Sequence, residues 1–112
     1  MKLACEDYDD ISVMSIKGEL VADEIERFRK TVQQRFEQSR VRDFVLDCNE
    51  MDFIDSQGLE SLLWLQDQCA DRLGQIRLAG CHDNIRTIFR MTRLAPRFDC
   101  HDDVDAALKS LR

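Results

Sequence analysis

One stretch of this chain has the residue types and spacing for chemistry at a hydroxyl: Asp52-Phe53-Ile54-Asp55-Ser56-Gln57-Gly58-Leu59. Ser56 follows a carboxylate and precedes a run in which Leu59, Leu62, Leu63, Cys69, Ala70 and Leu73 recur at helical spacing. Asp55 and Ser56 are both residue types that cap helices, and Glu60 adds a carboxylate in the first turn. A hydroxyl at such a junction is exposed, rigidly held and close to four backbone N–H groups without helical partners. From the residues alone it suits a helix cap. A hydrolytic nucleophile fits less well. Ile54 stands where the G-x-S-x-G elbow has its first glycine, and no histidine is near in sequence.

Asp47, Asp52 and Asp55 suggest a phosphoaspartate receiver, but that fold opens with βαβ and this chain opens with a hairpin pattern. Cys81-His82 and Cys100-His101 supply zinc-ligand types without finger spacing, and adjacent strand residues point to opposite faces. Neither a metal site nor a cofactor is expected. The five cysteines include no C-x-x-C pair and read as reduced thiols. Trp64 falls nearly opposite the centre of the apolar stripe on its helix, so two readings stand side by side: an anchor for a partner, or partial burial under a neighbouring element. Arg86, Arg90 and Arg93 form a basic stripe that reads first as a solvated helix face and second as a patch for an acidic partner. Asp23 opens another helix pattern.

These residues need elements to position them. Leu3 to Glu6 and Ile11 to Lys17 predict a hairpin, with Ile11 and Val13 on one face of the second strand and Met14 and Ile16 on the other. Ile25, Phe28, Val32 and Phe36 predict a helix starting at Asp23. Phe44 to Cys48 lacks alternation, which suits a parallel strand covered on both faces. The Ser56 helix runs to about Arg72, ended by Gly74. Ile76 to Leu78 is a strand, His82-Asp83-Asn84 opens a third helix that Leu94-Ala95-Pro96 ends, and Phe98 to Cys100 is a short strand. Asp102-Asp103 cap a last helix with Val104, Ala107, Leu108 and Leu111 on one face. The order ββαβαβαβα predicts an α/β fold: one domain over residues 1–112, with a mixed, mostly parallel sheet of four or five strands.

The whole composition narrows the function. A net charge of −6 disfavours nucleic-acid binding, which needs a basic surface. No apolar run reaches membrane-spanning length, and the first residues lack the apolar core of a secretory signal. The expectation is a cytoplasmic protein.

The stretch Phe44-Val45-Leu46-Asp47…Phe53-Ile54-Asp55-Ser56-Gln57-Gly58-Leu59 resembles the signature of STAS domains, and more narrowly that of bacterial anti-sigma factor antagonists. Gly18-Glu19-Leu20, Ile88-Phe89 and Leu94 also fit the family pattern. The resemblance implies a non-enzymatic binding switch. Such an antagonist binds an anti-sigma factor that is also a serine kinase, and is turned off when that kinase phosphorylates the serine after the aspartate. A PP2C-type phosphatase restores it. Carried onto this chain, the phosphoacceptor is Ser56, and Asp23, Asp55, Gln57 and Gly58 lie where partners dock; Trp64, off the core face on its helix wheel, is a candidate for the same surface. Gln57 stands where many antagonists carry Ser or Thr, and Val21-Ala22 stands where several relatives carry a polar residue after Gly-Glu-Leu. No nucleic acid, membrane insertion or small-molecule substrate is implied. The alternative is a STAS scaffold module of another assembly, for example the cytoplasmic partner of a transporter ATPase, without a phospho-switch.

Overall fold

The fold follows from one long strand that serves two partners in turn. In the computed structural model, which describes residues 1–111, β1 (Lys2–Tyr8) runs antiparallel to β2 (Ile11–Leu20), with Tyr8 opposite Ile11 and Lys2 opposite Lys17. The first part of β2, Ile11 to Ser15, lies parallel to β3 (Asp43–Asp47). Its end, Gly18 to Leu20, lies parallel to β4 (Met51–Ile54) instead. The change of partner occurs at Gly18, whose φ of +98° is open to glycine without strain. Its N–H donates to the Glu50 carbonyl at 2.9 Å, and the register shifts between Gly18 and Glu19. Beyond β3 come β5 (Ile76–Ala79) and β6 (Cys100–His101), each parallel to its neighbour. The spatial order is β1-β2-β3-β5-β6, with β4 attached to the far end of β2.

The sheet is mixed and mostly parallel as expected, but it has six strands rather than four or five. The extra strand is β4. Its two central residues, Asp52 and Phe53, are both exposed while Met51 and Ile54 are buried, so it shows no period of two. Only the free edge at the end of β2 makes it a strand. For the same reason β2 does not stop at Lys17 but continues through Gly18-Glu19-Leu20.

Three helices cover one face of the sheet and a fourth covers the other. α1 (Ile25–Gln38), α2 (Ser56–Asp71) and α3 (Asp83–Met91) enclose a core that includes Met14, Ile16, Phe28, Val32, Leu46, Leu62 and Phe89. α4 (Val104–Ser110) packs Ala107 on Val45 and Ala79, with Ile11 and Val13 beside them. Phe44, Val45 and Leu46 are all fully buried because both faces of β3 are covered, which explains the missing alternation.

Three local expectations are corrected. Asp23 does not cap α1; it sits inside a 3-10 turn, Ala22–Glu24, that precedes the helix. Leu73 and Ala70 are not core residues. Leu73 is 88% exposed because it takes the left-handed conformation (φ +62°) just past the end of α2 and turns outward, while Leu65 fills the core in its stead. Gly74 does close the helix, its N–H donating to the Cys69 carbonyl at 2.7 Å, but its need for glycine is a close approach: a Cβ there would stand 1.9 Å from the Arg42 carbonyl oxygen. The last short strand falls at Cys100–His101, since Phe98 turns into the core against Phe89, ring centroids 5.1 Å apart.

Candidate functional site at the start of α2

The site is built by Asp55. This residue is the N-cap of α2, in an extended conformation, and Ser56 is the first helical residue. One carboxylate oxygen of Asp55 accepts from the Gly58 N–H at 2.8 Å, the ordinary capping bond. The other accepts from the Ala22 N–H at 2.9 Å, thirty-three residues away in sequence. The Asp55 N–H in turn donates to the Leu20 carbonyl at 3.3 Å. The carboxylate therefore ties the Ala22–Glu24 turn to the helix start and is spent on the chain's own backbone.

Gly58 completes the joint. A Cβ there would lie 2.2 Å from the Leu20 carbonyl oxygen and 2.6 Å from Ile54 Cγ1, so only glycine lets the helix rest on the end of β2. Gly58 is buried, and the close approach that it permits is by Leu20 of the same chain. A free partner-facing surface at this residue is thus corrected to an internal contact.

With Asp55 acting as the cap, Ser56 is released from that duty. Ser56 is exposed, and its hydroxyl makes no hydrogen bond among the described residues. The backbone N–H groups of Ser56 and Gln57 likewise have no backbone acceptor among them, as expected in a first helical turn. Neither histidine hydrogen-bonds the hydroxyl: the His82 ring meets the Asn49 carbonyl, and His101 lies on β6. The arrangement offers an accessible oxygen on a rigid mount, beside two N–H groups that attract negative charge, without the partner that a hydrolytic serine needs.

The surroundings are carboxylates and one aromatic ring. Asp23 is exposed on the turn that Asp55 holds, and Gln57 is exposed beside Ser56. Glu19 pairs with Phe53 across β2 and β4, and Asp52 precedes it; all three are exposed, Phe53 at 42%. Glu60 lies one turn along α2 and is exposed. Phe53 is the residue that the pattern did not single out as surface. No periodicity marks it, because its neighbour Asp52 is exposed as well.

Trp64 sits farther off. It is half-buried against the main core, with the Arg29 guanidinium of α1 5.1 Å from its ring centre. Eight residues of helix carry it about 12 Å along the axis from Ser56 and turn it roughly 80° around. Of the residues expected to gather, the structure brings Asp23, Asp55, Ser56, Gln57 and Gly58 together and leaves Trp64 on the α1 side.

The two Cys-His pairs do not form a metal site: no group of three or more ligand side chains is positioned for one among the described residues. Cys81 and Cys100 do meet. The hydrogen bond to Cys81, together with burial, raises the Cys100 thiol well above its ordinary range. For Cys81 the bond to Cys100 lowers the value, but the bond to Cys48 and burial outweigh it. Both stay protonated and inert.

A sequence model of the STAS domain matches residues 2–107. The chain belongs to the STAS domain family. Its fold is shared by a putative anti-sigma factor antagonist from Thermotoga maritima, at a TM-score of 0.88 and 17% identity, covering 98% of this chain and 94% of that one. The anti-sigma factor antagonist SpoIIAA of Bacillus, in its unphosphorylated form, gives a TM-score of 0.86 at 20% identity, covering 99% and 96% of the two chains. A sulfate transporter family protein from Wolinella succinogenes gives 0.77 at 19% identity, covering 91% and 84%. At these identities the likeness is one of fold, and the same STAS fold serves proteins of both kinds. No helix among the described residues is long and apolar enough to cross a membrane.

Proposed function

We propose that this STAS domain is an anti-sigma factor antagonist: a cytoplasmic protein-binding switch, not an enzyme, set by phosphorylation of Ser56. The observation that carries the reading is the freed hydroxyl. Asp55 takes the cap, so the Ser56 Oγ is exposed and unbonded on a helix start held fixed by the Ala22 and Gly58 bonds. The fold likeness to SpoIIAA, known in an unphosphorylated and a phosphorylated form, supports it.

The partner is an anti-sigma factor that is also a serine kinase, and ATP belongs to that partner. The Ser56 Oγ attacks the γ-phosphoryl group, its proton passes to the kinase, and ADP leaves. The phosphoserine carries about −1.5 to −2 charges at neutral pH. The free N–H groups of the first turn of α2 accept part of that charge, so the fold persists. The added bulk displaces a partner that had docked at hydroxyl distance. Asp23, Gln57 and the exposed Phe53 ring form the docking face around Ser56, Trp64 marks its outer limit, and Asp55 and Gly58 hold it in shape. A PP2C-type phosphatase reverses the step.

Peptide mapping of the protein isolated from its native cells, with Ser56→Ala as control, tests this. A phosphate on Ser56, missing from the control, is the expected result. Its absence in cells sampled with and without stress would overturn the switch. A second reading, a STAS module of a transporter assembly, is favoured by the likeness to the Wolinella protein and to the murine anion transporter Slc26a9. It predicts stable co-purification with a membrane transporter and no phosphate.

A further inference from the structure

The basic stripe of α3 has a use that the Ser56 switch does not absorb. Between Asn84 and Phe98 the chain carries four arginines and no carboxylate, in a protein of net charge −6. Arg86, Arg90, Arg93 and Arg97 enter no ion pair among the described residues, whereas six other cationic groups do. The Nε of Arg86 donates to the Cys81 carbonyl at 3.1 Å, which holds the guanidinium at the protein surface. Arg90, Arg93 and Arg97 are exposed.

Beneath this stripe lies an apolar cleft of about 250 Å³. Its floor is formed by Phe89 and Phe98, buried and in ring contact, with Cys100 beside them. Arg86 and Arg90 stand at its rim. A solvated helix face explains arginines alone. It does not explain an aromatic-floored cleft rimmed by two guanidinium groups that enter no ion pair among the described residues.

We propose that the outer face of α3 and the Ala95–Arg97 turn form a docking surface for an acidic, amphipathic segment of a partner protein. Its carboxylates pair with Arg86, Arg90 and Arg93, and one large apolar side chain enters the cleft. Charge complementarity selects the occupant. Unpaired arginines attract carboxylates, and Arg pairs with them bidentately. The cleft floor asks for an apolar anchor of the kind that dominates interface energy. A polyphosphate has no such anchor, and the remaining surface of an acidic protein repels it. The surface adjoins the switch: Asn84 at the start of α3 donates to the Asp52 carbonyl at 2.8 Å, so one partner can span both.

The test uses the full chain and a fluorescein-labelled helical peptide that carries glutamates on both sides of one central phenylalanine. Anisotropy titration at about 50 mM salt, within the regime where surface charges act, is expected to saturate. Arg90→Glu with Arg93→Glu, both exposed and outside any ion pair, is expected to weaken binding at least tenfold. The same peptide with serine for phenylalanine is expected to bind at least tenfold more weakly. Unchanged affinity of the double variant would overturn the proposal. So would equal binding of the serine peptide, or tighter arginine-dependent binding of anionic vesicles or duplex RNA of matched charge.

Discussion

Replacing Asp55 separates a carboxylate that holds the site from one that faces a partner. Its two oxygens accept N–H groups from Gly58 at 2.8 Å and from Ala22 at 2.9 Å. Loss of a capping side chain costs about 0.5–2 kcal/mol, and a hydrogen bond to a charged group contributes about 1.5–3 kcal/mol. The Ala22 N–H is exposed and regains water, so its bond counts near the low end. Asp55→Ala should therefore lose about 2–3 kcal/mol. Asp55→Asn keeps one acceptor oxygen but sets its NH2 against the other N–H, so it should lose about half of that figure. Urea unfolding at constant slope measures both values. Amide exchange at Ala22 and Gly58 then tells which bond has gone: both amides should open in the alanine variant and one in the asparagine variant. The reasoning fails if Asp55→Ala stays within about 0.5 kcal/mol of wild type, the range of an ordinary surface substitution, and both amides remain protected.

Ser56→Ala should leave stability within about 0.5 kcal/mol, because the hydroxyl makes no bond and the cap is Asp55. Ser56→Asp should change stability by less than about 1 kcal/mol, the helix dipole favouring it and the Glu60 carboxylate one turn along opposing it; thermal melts at two ionic strengths measure it. The cysteines should behave as core residues. Burial, with the Asp43 charge adding to it, raises the Cys69 thiol from 9.0 to about 12, so native protein at pH 8 should resist thiol labelling at Cys69 until unfolded. A raised folded pKa gives stability that is present below about pH 9 and is lost as pH climbs towards 12. Alkaline melting should show that loss in wild type and less of it in Cys69→Ala, each compared with its own value at neutral pH.

Much of the frame depends on neighbours close in sequence, and those parts are read directly from it. The Ile25, Phe28, Val32 stripe, the unbroken Phe44-Val45-Leu46 run and the Asp103 cap of α4 each rest on residues within a few positions of one another. So does the junction itself: an aspartate and a serine ahead of a helical leucine pattern place Ser56 at a helix start. The motif and its order of elements suffice for the family. They do not say which of the two residues is the cap, since both side chains fit that role.

What the tertiary structure decided are pairings between residues far apart. β4 exists because the end of β2 offers a free edge, and its own four residues show no strand period. Asp55 becomes the cap and a clamp because Ala22 arrives beside it, and Gly58 is required because Leu20 does. The core face of α2 is set by where α1 and the sheet lie, which puts Arg29 over Trp64. Likewise Phe98 joins Phe89 beneath the arginines of α3 only once the chain has turned at Pro96. Periodicity and capping are local energies, written in spacing along the chain. Edge pairing, close approach and the burial of one face over another depend on distances that no spacing contains.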